Sequence, residues 1–318
     1  MKILVADDDL VSRRLMERML ERSGYEVVTA ANGREAAERL SEADCPRLAL
    51  IDWMMPELDG PSVCRKVRSK HDSRYIYITL LTSKQSSEDV VVGLEAGADD
   101  YLIKPCNTEE LKARLRTGVR ILELEDKLVE AREEMRYKAT HDSLTGLWNR
   151  GSIVSDFDRE LARARREDGV VTLLICDLDH FKQVNDVYGH LAGDEVLQSV
   201  ASRLVNSVRS YDMVGRYGGE EFLLVLAGCD ANLAERRAEE IRSVVAGRAI
   251  ETSSGLLSVT LSIGVLTSDL WGNELGASQL LKEADKALYC AKADGRNCAR
   301  IALPSLRELL TEVGRSHG

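Results

Sequence analysis

The sequence predicts an α/β chain in two parts: a doubly wound parallel sheet at the N-terminus, then a long helix and a second, hairpin-bearing region. Three observations predict it. Up to about residue 118, five short apolar runs (Ile3–Ala6, Val27–Thr29, Leu48–Ile51, Ile76–Leu81 and Tyr101–Ile103) alternate with helix-length segments, the pattern of βαβ units on a parallel sheet. From Leu111 to about Lys138 there is no proline and one glycine, Gly118, among Glu, Lys, Arg and Leu, which predicts a long helix. Further on, the strand-like runs Asp212–Val214 and Phe222–Leu226 flank Arg216-Tyr217-Gly218-Gly219-Glu220-Glu221-Phe222, a hairpin with an acidic tip.

A chain of 318 residues suggests two domains at about 150 residues each. Hydrophobic content of 44% and charged content of 30% describe globular material able to bury two cores. No apolar run approaches the roughly 20 residues that cross a bilayer, and the start, Met1 to Asp7, meets acids too early for a signal peptide. The seven cysteines form no CxxC pairs, so reduced thiols are expected, in a cytoplasmic protein without a membrane partner. A net charge of −10 and a pI near 5.2 argue against a nucleic-acid partner.

Within the first sheet, ligands are expected at the carboxyl ends of strands. Asp7, Asp8 and Asp9 follow the first run, Asp52 the third, Thr82 the fourth and Lys104-Pro105 the fifth, with Tyr101 three residues before Lys104. Converging strand ends would make an acidic pocket with one lysine, suited to Mg²⁺ and a phosphoryl group. Taken singly, an acidic triplet also serves as a helix N-cap cluster, and a strand-end Asp caps the next turn.

Together with Asp52-Trp53-Met54-Met55-Pro56 and Leu58-Asp59-Gly60, these residues resemble the receiver domain of two-component response regulators, over residues 1–118 and with its flavodoxin-like fold. The resemblance implies that Asp52 is the phosphoacceptor, that Asp8 binds Mg²⁺ with Asp7 in support, and that the carbonyl of Met54 joins the coordination. It further implies that Lys104 pairs with the phosphoryl oxygens, that Thr82 and Tyr101 are switch residues, that Lys104-Pro105 is a cis peptide, and that the partner is a cognate sensor histidine kinase. A phosphoryl group brings about −2 charge and new acceptor oxygens. Thr82 can turn toward that charge and open space for Tyr101 to move inward.

Residues 119–139 read as a helical linker. Ile121, Leu124, Leu128, Ala131 and Met135 follow three- and four-residue spacing, an a/d seam that favours a dimeric coiled coil over a helix packed on its own domain. Leu115, Leu122 and Val129 trace a second partial seam, which would permit a second register.

The glycines of the hairpin suit a tight turn through positive φ or a close backbone approach, and paired carboxylates at its tip suit Mg²⁺. In isolation, a solvated hairpin explains them equally well. With Asp142-Ser143-Leu144-Thr145-Gly146-Leu147-Trp148-Asn149-Arg150 and Cys176-Asp177-Leu178-Asp179-His180-Phe181-Lys182, the stretch resembles the GGDEF family of nucleotide cyclases in a GGEEF variant. The likeness runs from about Thr140 to about Arg300 and implies an α+β, palm-like cyclase domain over 140–303 and a tail over 304–318.

By that resemblance, Asp177, Glu220 and the carbonyl of Leu178 hold two divalent metals, Mg²⁺ or Mn²⁺. Glu220 combines metal binding with proton acceptance, and Glu221 assists. Phe181 and Lys182 lie where backbone N–H groups cradle phosphates, and Lys292 and Arg296 match distal phosphate-binding cations, although a basic pair four apart is also a solvated helix face. Asn185 and Asp194 select the base, with ordinary capping around a loop as the competing reading: a carboxylate accepts from guanine's N1–H and exocyclic amine together, which adenine lacks. The unpaired His190 is assigned no catalytic part. Arg209-Ser210-Tyr211-Asp212 matches the RxxD motif for inhibitory product, with an i,i+3 ion pair as the competing reading. Glu240 stands where some relatives carry an arginine, which weakens that site unless Arg236 or Arg237 substitutes.

The expected protein is a phosphorylation-regulated diguanylate cyclase, a homodimer condensing two GTP to cyclic di-GMP and two pyrophosphates. A catalytically silent cyclic di-GMP receptor and a phosphorylation-dependent scaffold are the alternatives. Intact Asp177, Lys182, Glu220, Glu221, Lys292 and Arg296 speak for the enzyme.

Overall fold

The computed structural model describes residues 1–69, 74–83, 87–271 and 275–304, with backbone alone for 87–89. The tail expected after Pro304 lies outside the described residues. The chain divides into two compact units, Met1–Glu133 and Glu134–Gly318. Among the described residues, no helix is long and apolar enough to cross a membrane.

The first unit contains β1 (Lys2–Ala6), α1 (Leu10–Arg22), β2 (Glu26–Ala30), α2 (Gly33–Arg39), β3 (Leu48–Asp52), α3 (Gly60–Arg68), β4 (Tyr77–Thr82), α4 (Ser87–Glu95), β5 (Asp100–Ile103) and most of α5 (Thr108–Thr140). Its five strands are parallel, in the order β2-β1-β3-β4-β5. The run of β4 is buried throughout, and β1 and β3 are buried apart from one end, as unbroken apolar strands covered on both faces must be. Strand order reverses between β1 and β3, so the ends of β1, β3 and β5 open onto one crevice.

Long α5 begins as part of this unit. Leu111, Leu115 and Leu122 are buried in one cluster with Leu48, Leu50 and Tyr77. A Cβ at Gly118 would lie 2.6 Å from Cδ1 of Tyr77, so close approach explains the helix's one glycine between Leu111 and Lys138. Arg47 clasps Asp126 with contacts of 2.6 and 2.7 Å. The second seam is thereby corrected: Leu115 and Leu122 are committed to their own unit's core and offer no alternative register. Ile121, Leu124, Leu128 and Met135 of the first seam are 38–72% exposed.

The second unit contains α6 (Arg150–Arg166), β6 (Val171–Leu178), α7 (Phe181–Ser207), β7 (Met213–Arg216), β8 (Glu221–Ala227), α8 (Ala231–Ala246), β9 (Ile250–Thr252), β10 (Gly255–Leu257), β11 (Leu261–Thr267), α9 (Ala277–Ala293) and β12 (Ala299–Ile301). Its main sheet runs β12-β11-β6-β8-β7, antiparallel except for β11 with β12, and β9 pairs with β10 apart from it. Period-two alternation along central β6 serves two cores. Leu174 and Cys176 join residues of α7 and α8, whereas Leu173 and Ile175 join Ile153 and Phe157 of α6 and Leu280, Ala284 and Leu288 of α9. The sheet thus carries helices on both faces and holds the end of β6 rigidly.

Candidate functional site

In the first unit, three strand ends meet as the spacing predicted. Asp7 is fully buried, Asp52 half-buried and Asp8 exposed, and one carboxylate oxygen from each lies within 4.8 Å of the others. Lys104 Nζ sits 2.7 Å from Asp7 Oδ2 and 3.0 Å from Asp52 Oδ2. Burial raises the Asp52 pKa, and the Lys104 contacts only partly offset that. Burial opposes the charge on Lys104, yet hydrogen bonds to Asp7 and Asp52 outweigh it and raise its pKa.

The acidic triplet divides between its two readings. Asp9 accepts from the Ser12 N–H at 2.8 Å and caps α1, while Asp7 and Asp8 turn to the cluster. Thr82 is buried, Tyr101 half-buried against the core, and the Lys104 N–H donates to the Thr82 carbonyl at 2.7 Å. Lys104-Pro105 is cis. The Met54 side chain is 62% exposed. Three convergent carboxylates form an oxygen set that fits a hard divalent cation.

In the second unit, the register of β6 with β8 places Asp177 opposite Glu221, and the Leu178 N–H donates to the Glu220 carbonyl at 3.3 Å. Lys292 Nζ lies 2.7 Å from Asp177 Oδ2. Burial raises the Asp177 pKa against the pull of Lys292 and Arg296. Glu220 and Glu221, both half-buried, are raised by burial and then by the nearby charge of Asp177. A set of carboxylates held up in this way gains from a cation. Among the described residues, Asp177, Glu220 and Glu221 do not share a single 4.8 Å cluster as the receiver acids do.

The hairpin does not use positive φ at its glycines, which corrects that expectation. A Cβ at Gly218 would fall 2.4 Å from Glu221 Oε2, so the missing side chain makes room for that carboxylate.

Phe181 opens α7 with its ring in the core, so backbone alone is left for a ligand there, while Lys182 is exposed beside it. Gly189 breaks the helical path at φ 84°. Asn185 lies over Gly193, where a Cβ would fall 1.9 Å from its Oδ1, and this brings Asn185 beside exposed Asp194. His190 is exposed.

At the RxxD segment the ion-pair reading fails. Asp212 accepts backbone N–H groups from Arg209 at 3.0 Å and Ala227 at 3.2 Å, and the Arg209 guanidinium goes to the Tyr211 hydroxyl at 2.6 Å. A cavity of about 290 Å³ adjoins Arg209 and Asp212. Arg237 is already engaged by Glu240 at 2.6 Å and by the Ser207 carbonyl, which corrects its expected availability as a substitute.

Two contributors were not assigned from the sequence. Arg216 links Asp142 at 3.1 Å to the Gly219 carbonyl at 2.7 Å. Buried Asp179 accepts from the Thr260 hydroxyl at 2.6 Å, the Ser262 hydroxyl at 2.7 Å and the Asn297 N–H at 3.0 Å. A second acid two residues beyond Asp177 was its one visible signal.

Residues 139–298 match the family model of the diguanylate cyclase GGDEF domain, and residues 3–116 that of the response regulator receiver domain. Response regulator PleD of Caulobacter vibrioides is 33% identical over 298 residues, which is 93% of this chain and 64% of that protein. Diguanylate cyclase DosC of Escherichia coli K12 is 39% identical over 175 residues, 55% of this chain and 37% of that protein. The chain therefore spans less than two thirds of either relative. The coiled coil and GGDEF domain of DgcB from Caulobacter crescentus, solved with c-di-GMP, aligns with a TM-score of 0.54 at 32% identity, covering 60% of this chain and 99% of that one.

Proposed function

This chain belongs to the diguanylate cyclase GGDEF family, with a receiver domain ahead of the cyclase domain, and we propose that it condenses two GTP into cyclic di-GMP and two pyrophosphates when Asp52 is phosphorylated. The observation that carries this reading is the pairing of strand-end Asp177 with Lys292 at 2.7 Å, directly opposite the Glu221 end of the acidic hairpin.

Asp177, Glu220 and the carbonyl of Leu178 would hold divalent cations, Mg²⁺ or Mn²⁺. Such cations, when bound, neutralise the triphosphate and acidify the attacking ribose 3′-hydroxyl. Glu220 accepts the proton of that hydroxyl, and Glu221 supports the same region. Lys182 and the first N–H groups of α7 bind phosphate oxygens, as do Lys292 and Arg296, with Lys292 exchanging Asp177 for the nucleotide. Asp194 and Asn185 take the guanine edge, and rejecting adenine relies on leaving those groups unpaired, at about 1–3 kcal/mol each.

In the receiver, Asp52 is the nucleophile toward a phosphodonor, a cognate sensor histidine kinase. Asp7, Asp8 and the carbonyl of Met54 would hold the divalent cation. Lys104 moves its hydrogen bonds from Asp7 and Asp52 to phosphoryl oxygens, and Thr82 and Tyr101 follow. Each cyclase domain holds one GTP, so a homodimer with two-fold symmetry presents the two sites to each other, in the cytoplasm. Product binds at Arg209 and Asp212, with inhibition weakened because Glu240 occupies Arg237.

Product chromatography after incubation with GTP and Mg²⁺, with and without beryllofluoride as a mimic of phosphoryl-Asp52, tests the whole reading. Cyclic di-GMP that rises with the mimic is expected. No product in either state, from a folded dimer, overturns the enzyme in favour of a receptor or scaffold.

A further inference from the structure

We propose that Asp179 is a positioning residue that sets Arg296 at the phosphate site by stapling the loop after α9 to the turn after β6; the inference rests on the cyclase reading above. Asp179 is 5% exposed, and its carboxylate accepts from the hydroxyls of Thr260 and Ser262 and the Asn297 N–H. Its own N–H donates to the Thr260 carbonyl at 2.9 Å. Such a group is turned inward, and its work lies in what it ties together.

Those ties join three stretches distant in sequence. One is the turn between Asp177 and Phe181, another the entry to β11, and the third the loop that carries Arg296. The last is the least able to hold itself. Gly295, Arg296 and Asn297 all have positive φ, at 106°, 66° and 47°, and the left-handed region suits glycine and tolerates asparagine but disfavours arginine. A non-glycine backbone in that region persists only when its surroundings fix it. Three bonds hold it: the Arg296 N–H donates to the Ala291 carbonyl at 3.1 Å, the Asn297 N–H to Asp179, and Arg242 Nη1 to the Asn297 side-chain oxygen at 2.7 Å. The conformation places Arg296 next to Asn297, whose N–H is tied to the carboxylate two residues beyond Asp177. Asp179 thus holds the anionic strand end and the cationic loop at one spacing, from a buried position between them.

The test is calorimetric binding of a non-hydrolysable GTP analogue in Mg²⁺ to the full chain, comparing wild type with D179A, R296A, D179N and the double variant D179A/R296A, each checked for its melting temperature. If Asp179 acts through Arg296, each alanine variant weakens binding about tenfold and the double variant also about tenfold, because coupled residues are not additive. D179N retains binding within about threefold: its amide oxygen accepts from Asn297 and Thr260 while its amide nitrogen donates to the Ser262 hydroxyl, so the staple survives. If D179A does not fold, T260V/S262A replaces it: that variant removes both hydroxyls that hold the Asp179 carboxylate and leaves the loop residues unchanged, and its loss is again non-additive with R296A. Additive losses near a hundredfold, or wild-type binding in the staple variants, overturn the positioning role alone. A wild-type chain that binds no nucleotide overturns both this role and the cyclase reading.

Discussion

Arg216 joins Asp142 across 74 residues of sequence, Nη1 lying 3.1 Å from Oδ1, and the same guanidinium donates through Nη2 to the Gly219 carbonyl at 2.7 Å. The pair couples the opening segment of the cyclase unit to the hairpin tip. Around it, the rings of Tyr137 and His141 stack at 4.1 Å and those of His141 and Trp148 at 4.4 Å, and the Arg216 N–H donates to the Trp148 carbonyl at 2.8 Å. The end of α5 therefore reaches the acidic tip through a continuous set of contacts.

Asp142→Asn should lower cyclase activity and cost about 1–2 kcal/mol at pH 7, the order of a charge-assisted hydrogen bond at a partly exposed site. Burial would raise the Asp142 pKa, but Thr145 and Arg216 prevail and hold it below its ordinary value. A depressed carboxylate stabilises the fold above its unfolded pKa of about 3.9, and that contribution is lost as pH falls through the folded value. Denaturant melts of both proteins should differ at pH 7 and converge in acid; a gap that persists in acid would remove the ion pair from the explanation.

Glu220→Gln should abolish product formation, by at least about a hundredfold, without loss of fold. Its stability effect has the opposite sign. Glu220 has a raised folded pKa, so the ionised form costs stability as pH rises through the window between its unfolded and folded values. The variant should melt no lower than wild type at pH 7 without divalent ion and indistinguishably below pH 4. Mg²⁺ should stabilise the wild-type cyclase unit more than the variant's. A destabilised variant at pH 7 would show that Glu220 is satisfied by the protein itself.

Lys104→Ala tests the receiver pocket in the same terms. Without the ammonium, fully buried Asp7 faces Asp52 uncompensated, and the loss should be about 1–3 kcal/mol at pH 7. Millimolar Mg²⁺ should recover much of it, since the three-carboxylate cluster remains. Thermal melts with and without the ion decide this; a deficit insensitive to Mg²⁺ would mean that Lys104 acts by packing rather than charge.

Much of this was legible in local pattern. Unbroken apolar runs gave the buried parallel strands, and their ends placed Asp7, Asp8, Asp52 and Lys104 together, because strand direction alone determines which side of a parallel sheet carries them. Pattern could not say that Asp9 caps a helix while its neighbours face the pocket. Nor could it find Asp179, whose partners lie 81, 83 and 118 residues away and leave no periodic trace. Gly218 was legible as glycine but its neighbour was not: the Glu221 carboxylate folds back over the turn to within 2.4 Å of where a Cβ would stand.

The same limit governs α5, where two seams with similar spacing have different fates. Leu122 is 1% exposed within the receiver core, whereas Leu128 is 64% exposed on the following turns. Leu122→Glu buries a carboxylate among apolar side chains and should destabilise the receiver by several kcal/mol, of order 3 or more. Leu128→Glu leaves the receiver intact and instead puts like charges at an a/d position of the expected coiled coil. Light scattering should then show a weakened dimer at unchanged melting temperature for the receiver unit, with cyclase activity falling in step because two domains must meet. An unaltered dimer in Leu128→Glu would remove the exposed seam as the dimer contact and direct attention to other surfaces of the chain.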